Sequence, residues 1–158
     1  MHGVGNRSAL SLLRASARWA VRARFCVALG MAFGAVAPLQ ADVQQLDAAA
    51  LAALPEDVLL VDIRRPDEWR DTGIVAGALP LTFFERDGSY DAPSWLAALD
   101  AALESRSAPV VLICRSGVRS ARVAALLDER LGYTAVGHVT RGIVDWRKRG
   151  GATAPWPP

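Results

Sequence analysis

Residues 110–120 read Val110-Val111-Leu112-Ile113-Cys114-Arg115-Ser116-Gly117-Val118-Arg119-Ser120, and this stretch decides the fold. A run of β-branched and aliphatic residues introduced by Pro109 predicts a strand buried on both faces. A helix is expected directly after it, with Val123, Leu126, Leu127 and Leu131 on its inner face and Gly132 as its C-cap. A strand that passes through a short loop into a helix is part of a βαβ unit. Open α/β sheets place their ligand sites at such strand ends.

The pattern repeats on both sides of this stretch. Upstream, Val43 to Leu46 reads as a short strand, and Asp47 is expected to cap an alanine-rich helix over Ala48 to Leu54 that Pro55 stops. Val58-Leu59-Leu60-Val61 reads as a second buried strand ending in Asp62-Ile63-Arg64, with Pro66 opening a helix to Arg70. Gly77 to Leu81 is a short strand, and Phe84 to Pro93 a loop around Arg86-Asp87-Gly88-Ser89. Ser94 is expected to cap a helix to about Ser105, with Trp95, Leu96, Leu99 and Leu103 on one face. Downstream, Tyr133 to Val139 is the last strand and Gly142 to Lys148 a closing helix, with a Gly- and Pro-rich tail at 151–158 expected to be flexible. Trp69, Trp95 and Trp146 read as packing residues.

The loop at 114–120 carries the chemistry. Ser116 and Gly117 allow a tight turn, and Gly117 lets the backbone approach a bound group. Successive amides through Val118 and Ser120, ahead of a helix N-terminus, predict an anion-binding nest around the Cys114 sulfur. Arg115 and Arg119 add positive charge, and such surroundings favour a reactive thiolate. Counted alone, a single thiol reads as an inert buried side chain; the doubly basic, glycine-hinged loop argues against that. No metal site is expected, because one cysteine and His138 do not make a soft ligand set. His138, at a strand end, reads as structural rather than as a base for Cys114.

With VVLI before it and a helix after it, CRSGVRS resembles the active-site loop of the rhodanese family. VDIRRPDEW at 61–69, GIVAGALPL at 73–81 and RGIVDW at 141–146 resemble further segments of that family. One position departs from its pattern: Ile74 stands where the family often has histidine. The resemblance implies an α/β fold, a single rhodanese-like domain with a five-stranded parallel sheet flanked by helices on both faces, over residues 42–150. It also implies a sulfurtransferase of the thiosulfate:acceptor type without a cofactor. Cys114 would carry a persulfide, Arg115, Ser116, Gly117, Val118, Arg119 and Ser120 would bind the anionic donor, and a thiol, small or on a protein, or cyanide would accept the sulfur. Asp62 and Arg64, at the end of the preceding strand, either support the loop or form a solvated strand end, and the four-residue spacing of Glu68 from Arg64 predicts a pair across a helical turn. Two other functions remain open. One is a persulfide carrier or binding module without turnover. The other is a cysteine phosphatase or arsenate reductase, disfavoured because phosphatases place an arginine six residues after the nucleophile, where this chain has Ser120.

Composition bounds the rest. With 158 residues, 52% hydrophobic and 22% charged, the chain has the make-up of one globular domain rather than a disordered segment. The net charge of +2 divides unevenly: Arg7, Arg14, Arg18, Arg22 and Arg24 precede the first acid, Asp42, leaving residues 42–158 at −3. No nucleic-acid surface is therefore expected. Residues 1–41 read as a secretory signal peptide, with an arginine-bearing n-region, an apolar run from Phe25 to Ala37 and cleavage after Ala41. That run is short for a membrane span, so no stable membrane insertion is expected after cleavage. The expected product is an exported, periplasmic monomer in which Cys26 has left with the leader and Cys114 is the sole cysteine.

Overall fold

The computed structural model describes residues 43–157. The expectations for residues 1–41, including Cys26 and the cleavage after Ala41, lie outside the described residues. Among the described residues, twelve elements follow in chain order: β1 (Gln44–Leu46), α1 (Ala48–Ala52), β2 (Leu59–Asp62), α2 (Pro66–Thr72), β3 (Ile74–Val75), β4 (Leu79–Pro80), α3 (Ala92–Ala102), β5 (Val110–Ile113), α4 (Val118–Leu131), β6 (Val136–Val139), α5 (Gly142–Lys148) and β7 (Thr153–Ala154). Five strands form one sheet in the order β1-β6-β5-β2-β4, and every pairing in it is parallel. This is the five-stranded parallel architecture expected from the resemblance.

The apolar run at 110–113 is continuous because both faces of β5 are covered. Val110 and Leu112 point into a cluster with Trp95 and Leu99 of α3 and Val123 and Leu127 of α4. Val111 and Ile113 point the other way, into a cluster with Leu51 of α1 and Ile143 of α5. All four are at most 4% exposed, and each such burial contributes about 1.5–3 kcal/mol of transfer free energy. Cys114 continues the first set and shares the α3/α4 cluster. The central strand thereby delivers its carboxyl end, and the loop after it, to the middle of the sheet.

Several boundaries differ from expectation. The α3 helix starts at Ala92, because the Asp91 carboxylate accepts the Ser94 amide at 3.2 Å and the Ser94 hydroxyl at 2.6 Å. Asp91 is therefore the cap, and Ser94 is its partner inside the first turn. The α3 helix ends at Ala102, α1 ends at Ala52, and α2 runs two residues beyond Arg70. Only Leu79–Pro80 of the 77–81 stretch pairs as a strand, and the last strand of the sheet begins at Val136, after a buried Tyr133. Gly132 takes the left-handed C-cap conformation as expected, with φ 74°.

The C-terminal tail, expected to be flexible, makes specific contacts with the domain over residues 152–156. Thr153–Ala154 pairs antiparallel with Ile74–Val75, Trp156 lies 4.9 Å from Trp69 between ring centroids, and the Trp146 indole donates to the Ala152 carbonyl at 2.9 Å. The two indoles give the tail apolar area to bury, which outweighs its Gly and Pro content. Trp69 is the residue so covered, itself 4% exposed.

Candidate active site

The loop is built on glycines. Gly117 has φ 92°, and a Cβ there would overlap the Thr140 carbonyl oxygen at the β6–α5 corner. Gly142, with φ 57°, meets the loop from the other side: a Cβ would overlap the Cys114 carbonyl oxygen. Only glycine fits either place. The close approach lets the first amides of α5 grip the loop, Ile143 N–H donating to the Cys114 carbonyl at 2.9 Å and Val144 N–H to that of Arg115 at 3.2 Å.

Held in this way, the loop turns its donors onto the sulfur. The Gly117 amide lies 3.1 Å from Cys114 Sγ, the Ser120 amide 3.4 Å and the Ser120 hydroxyl 3.5 Å. Of the successive amides expected around the sulfur, those of Gly117 and Ser120 reach it, and Cys114 is at the same time fully buried. Buried thiol and anion cradle, set against each other as alternatives in the sequence, coincide. The Ser120 hydroxyl has a single proton and divides it between the sulfur and the Gly117 carbonyl, which it approaches at 3.1 Å, so the two amides are the constant donors to Sγ. Val118 N–H and Arg119 N–H, at the first two positions of α4, have no carbonyl one turn back to receive them.

The two loop arginines part company. Arg115 is exposed. Arg119 is instead held by Glu68, in a two-pronged pair of 2.6 and 2.8 Å. Burial opposes ionisation of Glu68, but hydrogen bonding to Arg119 and the charges of Arg119 and Arg65 outweigh it and hold the carboxyl below its ordinary value. The Glu68 hydrogen bond, above all, raises the Arg119 pKa, and the nearby Cys114 sulfur adds to the effect. The expected Arg64–Glu68 side-chain pair is absent: Arg64 reaches only the Glu68 backbone carbonyl, at 3.2 Å.

Arg64 is committed elsewhere, because β2 ends inside the protein. It is 1% exposed and Asp62 0%. Arg64 Nε and Nη2 straddle the Asp62 carboxylate at 2.6–3.0 Å, while Nη1 donates to Thr72 Oγ1 at 2.7 Å and Nη2 to the Gly73 carbonyl at 2.8 Å. Asp62 and Arg64 touch no atom of the cysteine loop directly in these hydrogen bonds. They fix α2, and α2 presents Glu68 to Arg119. The residue that the sequence reading missed in this role is Glu68, and its acid position in VDIRRPDEW was the available signal.

His138, on β6, is buried with Nδ1 unpaired, and burial lowers its pKa. It makes no hydrogen bond to Cys114. Two cavities flank the loop. One of about 380 Å³ lies between α2 and α5, with Arg115 and Arg147 facing Glu68 and Asp71. The other, of about 250 Å³, lies on the far side of Arg65, against the 84–90 loop.

Comparison with known proteins shows the family and the fold. A protein of Allochromatium vinosum named "Sulfurtransferase" is 34% identical over 111 residues, covering 68% of this chain and 92% of that one. YtwF of Bacillus subtilis is 32% identical over 117 residues, covering 72% of this chain and 97% of that one. The crystal structure of a rhodanese-related protein from Thermoplasma volcanium superposes with a TM-score of 0.54 at 24% identity, covering 72% of this chain and 99% of that chain. Residues 46–149 match the rhodanese-like domain family, and the chain belongs to that family.

Proposed function

We propose that this chain is a rhodanese-type sulfurtransferase that moves sulfane sulfur through a persulfide on Cys114. The observation that carries the reading is the convergence of the Gly117 and Ser120 amides on one sulfur, with the Ser120 hydroxyl shared between that sulfur and the Gly117 carbonyl. The Cys114 thiolate attacks the outer sulfur of an anionic donor such as thiosulfate. The new Sγ–S bond forms as the donor's S–S bond breaks, and the electron pair leaves on sulfite. The amides of Val118 and Arg119, left without carbonyl partners at the start of α4, are available to donate to the added sulfur. An acceptor thiolate or cyanide then takes the outer sulfur, returning the electron pair to Cys114.

Arg115 is the exposed cation that draws the donor in, while Arg119, neutralised by Glu68, holds the frame. Because Cys114 has no exposed surface, donor entry requires the exposed Arg115-Ser116 turn to yield. We place the protein outside the cytoplasm, on the strength of the leader-like residues 1–41, acting as a monomer. Initial rates with thiosulfate and cyanide varied together test the reaction. A two-step transfer gives parallel double-reciprocal lines and no activity in Cys114→Ser. Intersecting lines, or activity in the variant, would remove Cys114 as the sulfur carrier.

A further inference from the structure

The 250 Å³ cavity beside α4 has a wall chemistry that a small inorganic donor does not use. Phe84 and Tyr90 form one side; Phe84 meets the Phe83 ring edge-on at 4.7 Å between centroids, and Tyr90 stacks on it at 5.1 Å. Arg65, Arg86, Arg119 and Arg122 surround it, with Glu85 as the one acidic residue in the lining. Asp67 pairs with Arg65 and Arg86, and Glu68 with Arg65 and Arg119. Arg122 has no acidic partner among the described residues; its guanidinium lies over the Phe84 ring at 5.6 Å. Tyr90 is 55% exposed although its ring belongs to the stacked group. With four guanidinium groups against the single Glu85 carboxylate in the lining, and no carboxylate among the described residues within 4 Å of Arg122, this aromatic wall suits an organic anion, whose carboxylate pairs with Arg122 while its carbon skeleton lies on the rings. The cavity is also close to the chemistry: Arg119 is on its wall, and the next residue, Ser120, contacts the sulfur.

We propose that this cavity binds the carboxylate-bearing part of a small organic thiol, which accepts sulfur from Cys114. The assignment rests on the sulfur-transfer reading above. The bound thiolate attacks the outer sulfur of the Cys114 persulfide, a new S–S bond forms on the acceptor, the Sγ–S bond breaks, and its electron pair stays on Cys114. The product is the acceptor's persulfide, and no external oxidant or reductant enters.

Two measurements on the full chain separate this proposal from the reading beneath it. Cys114→Ser protein is titrated calorimetrically with S-methylglutathione, an unreactive thiol mimic bearing carboxylates, with and without Arg122→Gln. The mimic binds, and Arg122→Gln weakens it about tenfold, the loss of one charged hydrogen-bonded contact. Persulfide-loaded protein is then discharged with glutathione and with mercaptoethanol, which has no carboxylate. The glutathione-to-mercaptoethanol rate ratio falls about tenfold in Arg122→Gln, and Tyr90→Leu lowers it as well. Absence of binding, or binding and a rate ratio indifferent to Arg122, overturns the cavity assignment and leaves sulfur transfer standing. Failure of Cys114 to load from any donor overturns sulfur transfer and with it the acceptor role, while the titration still decides whether the cavity binds the carboxylate.

Discussion

Replacing Glu68 by Gln tests the frame behind the loop. The change keeps shape and removes one charge from a pair that is 14% exposed at Glu68 and 23% at Arg119. Both oxygens of Glu68 accept from Arg119, at 2.6 and 2.8 Å. Gln can accept at one of these points and must turn its amide NH₂ toward a guanidinium at the other. Breaking a fully buried pair costs about 3–5 kcal/mol; with partial exposure, about 1.5–3 kcal/mol is expected here. Urea unfolding gives the number, and a double-mutant cycle with Arg119→Gln gives the coupling, expected at about 1.5 kcal/mol or more. The carboxyl of Glu68 is held below its ordinary value of 4.5 in the folded state. Its stabilisation is therefore present above that pH and is lost as pH falls through the lower folded-state value. The gap between wild type and variant should close in acid. A gap below 0.5 kcal/mol at neutral pH (roughly the error of such cycles), or one that widens in acid, would refute the reasoning.

Three other outcomes follow from the geometry. Asp62→Asn leaves the Arg64 guanidinium buried and uncompensated, and should cost about 3–5 kcal/mol in urea unfolding; a loss under 1 kcal/mol, on the same scale, would mean that Arg64 reaches solvent. Gly117→Ala should abolish sulfur loading and destabilise by at least about 2 kcal/mol, from positive φ and overlap with Thr140; loading at the wild-type rate contradicts the cradle. Trp156→Ala uncovers Trp69 and should lower stability by about 1–2 kcal/mol; an unchanged melting curve would return the tail to a frayed state.

The central strand and its loop were legible because Val110 to Ile113 are apolar on both faces and Cys114 to Ser120 combine small and basic residues in a way that a core strand end does not need. Other features were hidden for physical reasons. Asp91 and Ser94 are both good caps three residues apart, and they bond each other, so spacing alone could not rank them. The strands Ile74–Val75 and Thr153–Ala154 are two residues long each and have no period to detect. The tail is ordered by a Trp69–Trp156 contact that no local pattern announces. Glu68 and Arg119 are 51 positions apart, and a helical-turn rule directed Glu68 to Arg64 instead. That rule failed because Asp62 and the end of α2 already occupy Arg64, which leaves Glu68 for the loop. Gly117 was read for a tight turn beside a bound group and Gly142 only as the start of a helix, whereas both are needed because another backbone passes where a Cβ would stand.

The most direct test of the account is the intact mass of the protein after exposure to thiosulfate or polysulfide, followed by removal of excess donor. The account predicts a gain of one sulfur atom on wild type, mapped to the peptide carrying Cys114, reversed by cyanide and absent in Cys114→Ser. No gain with either donor, or the same gain in Cys114→Ser, would contradict it.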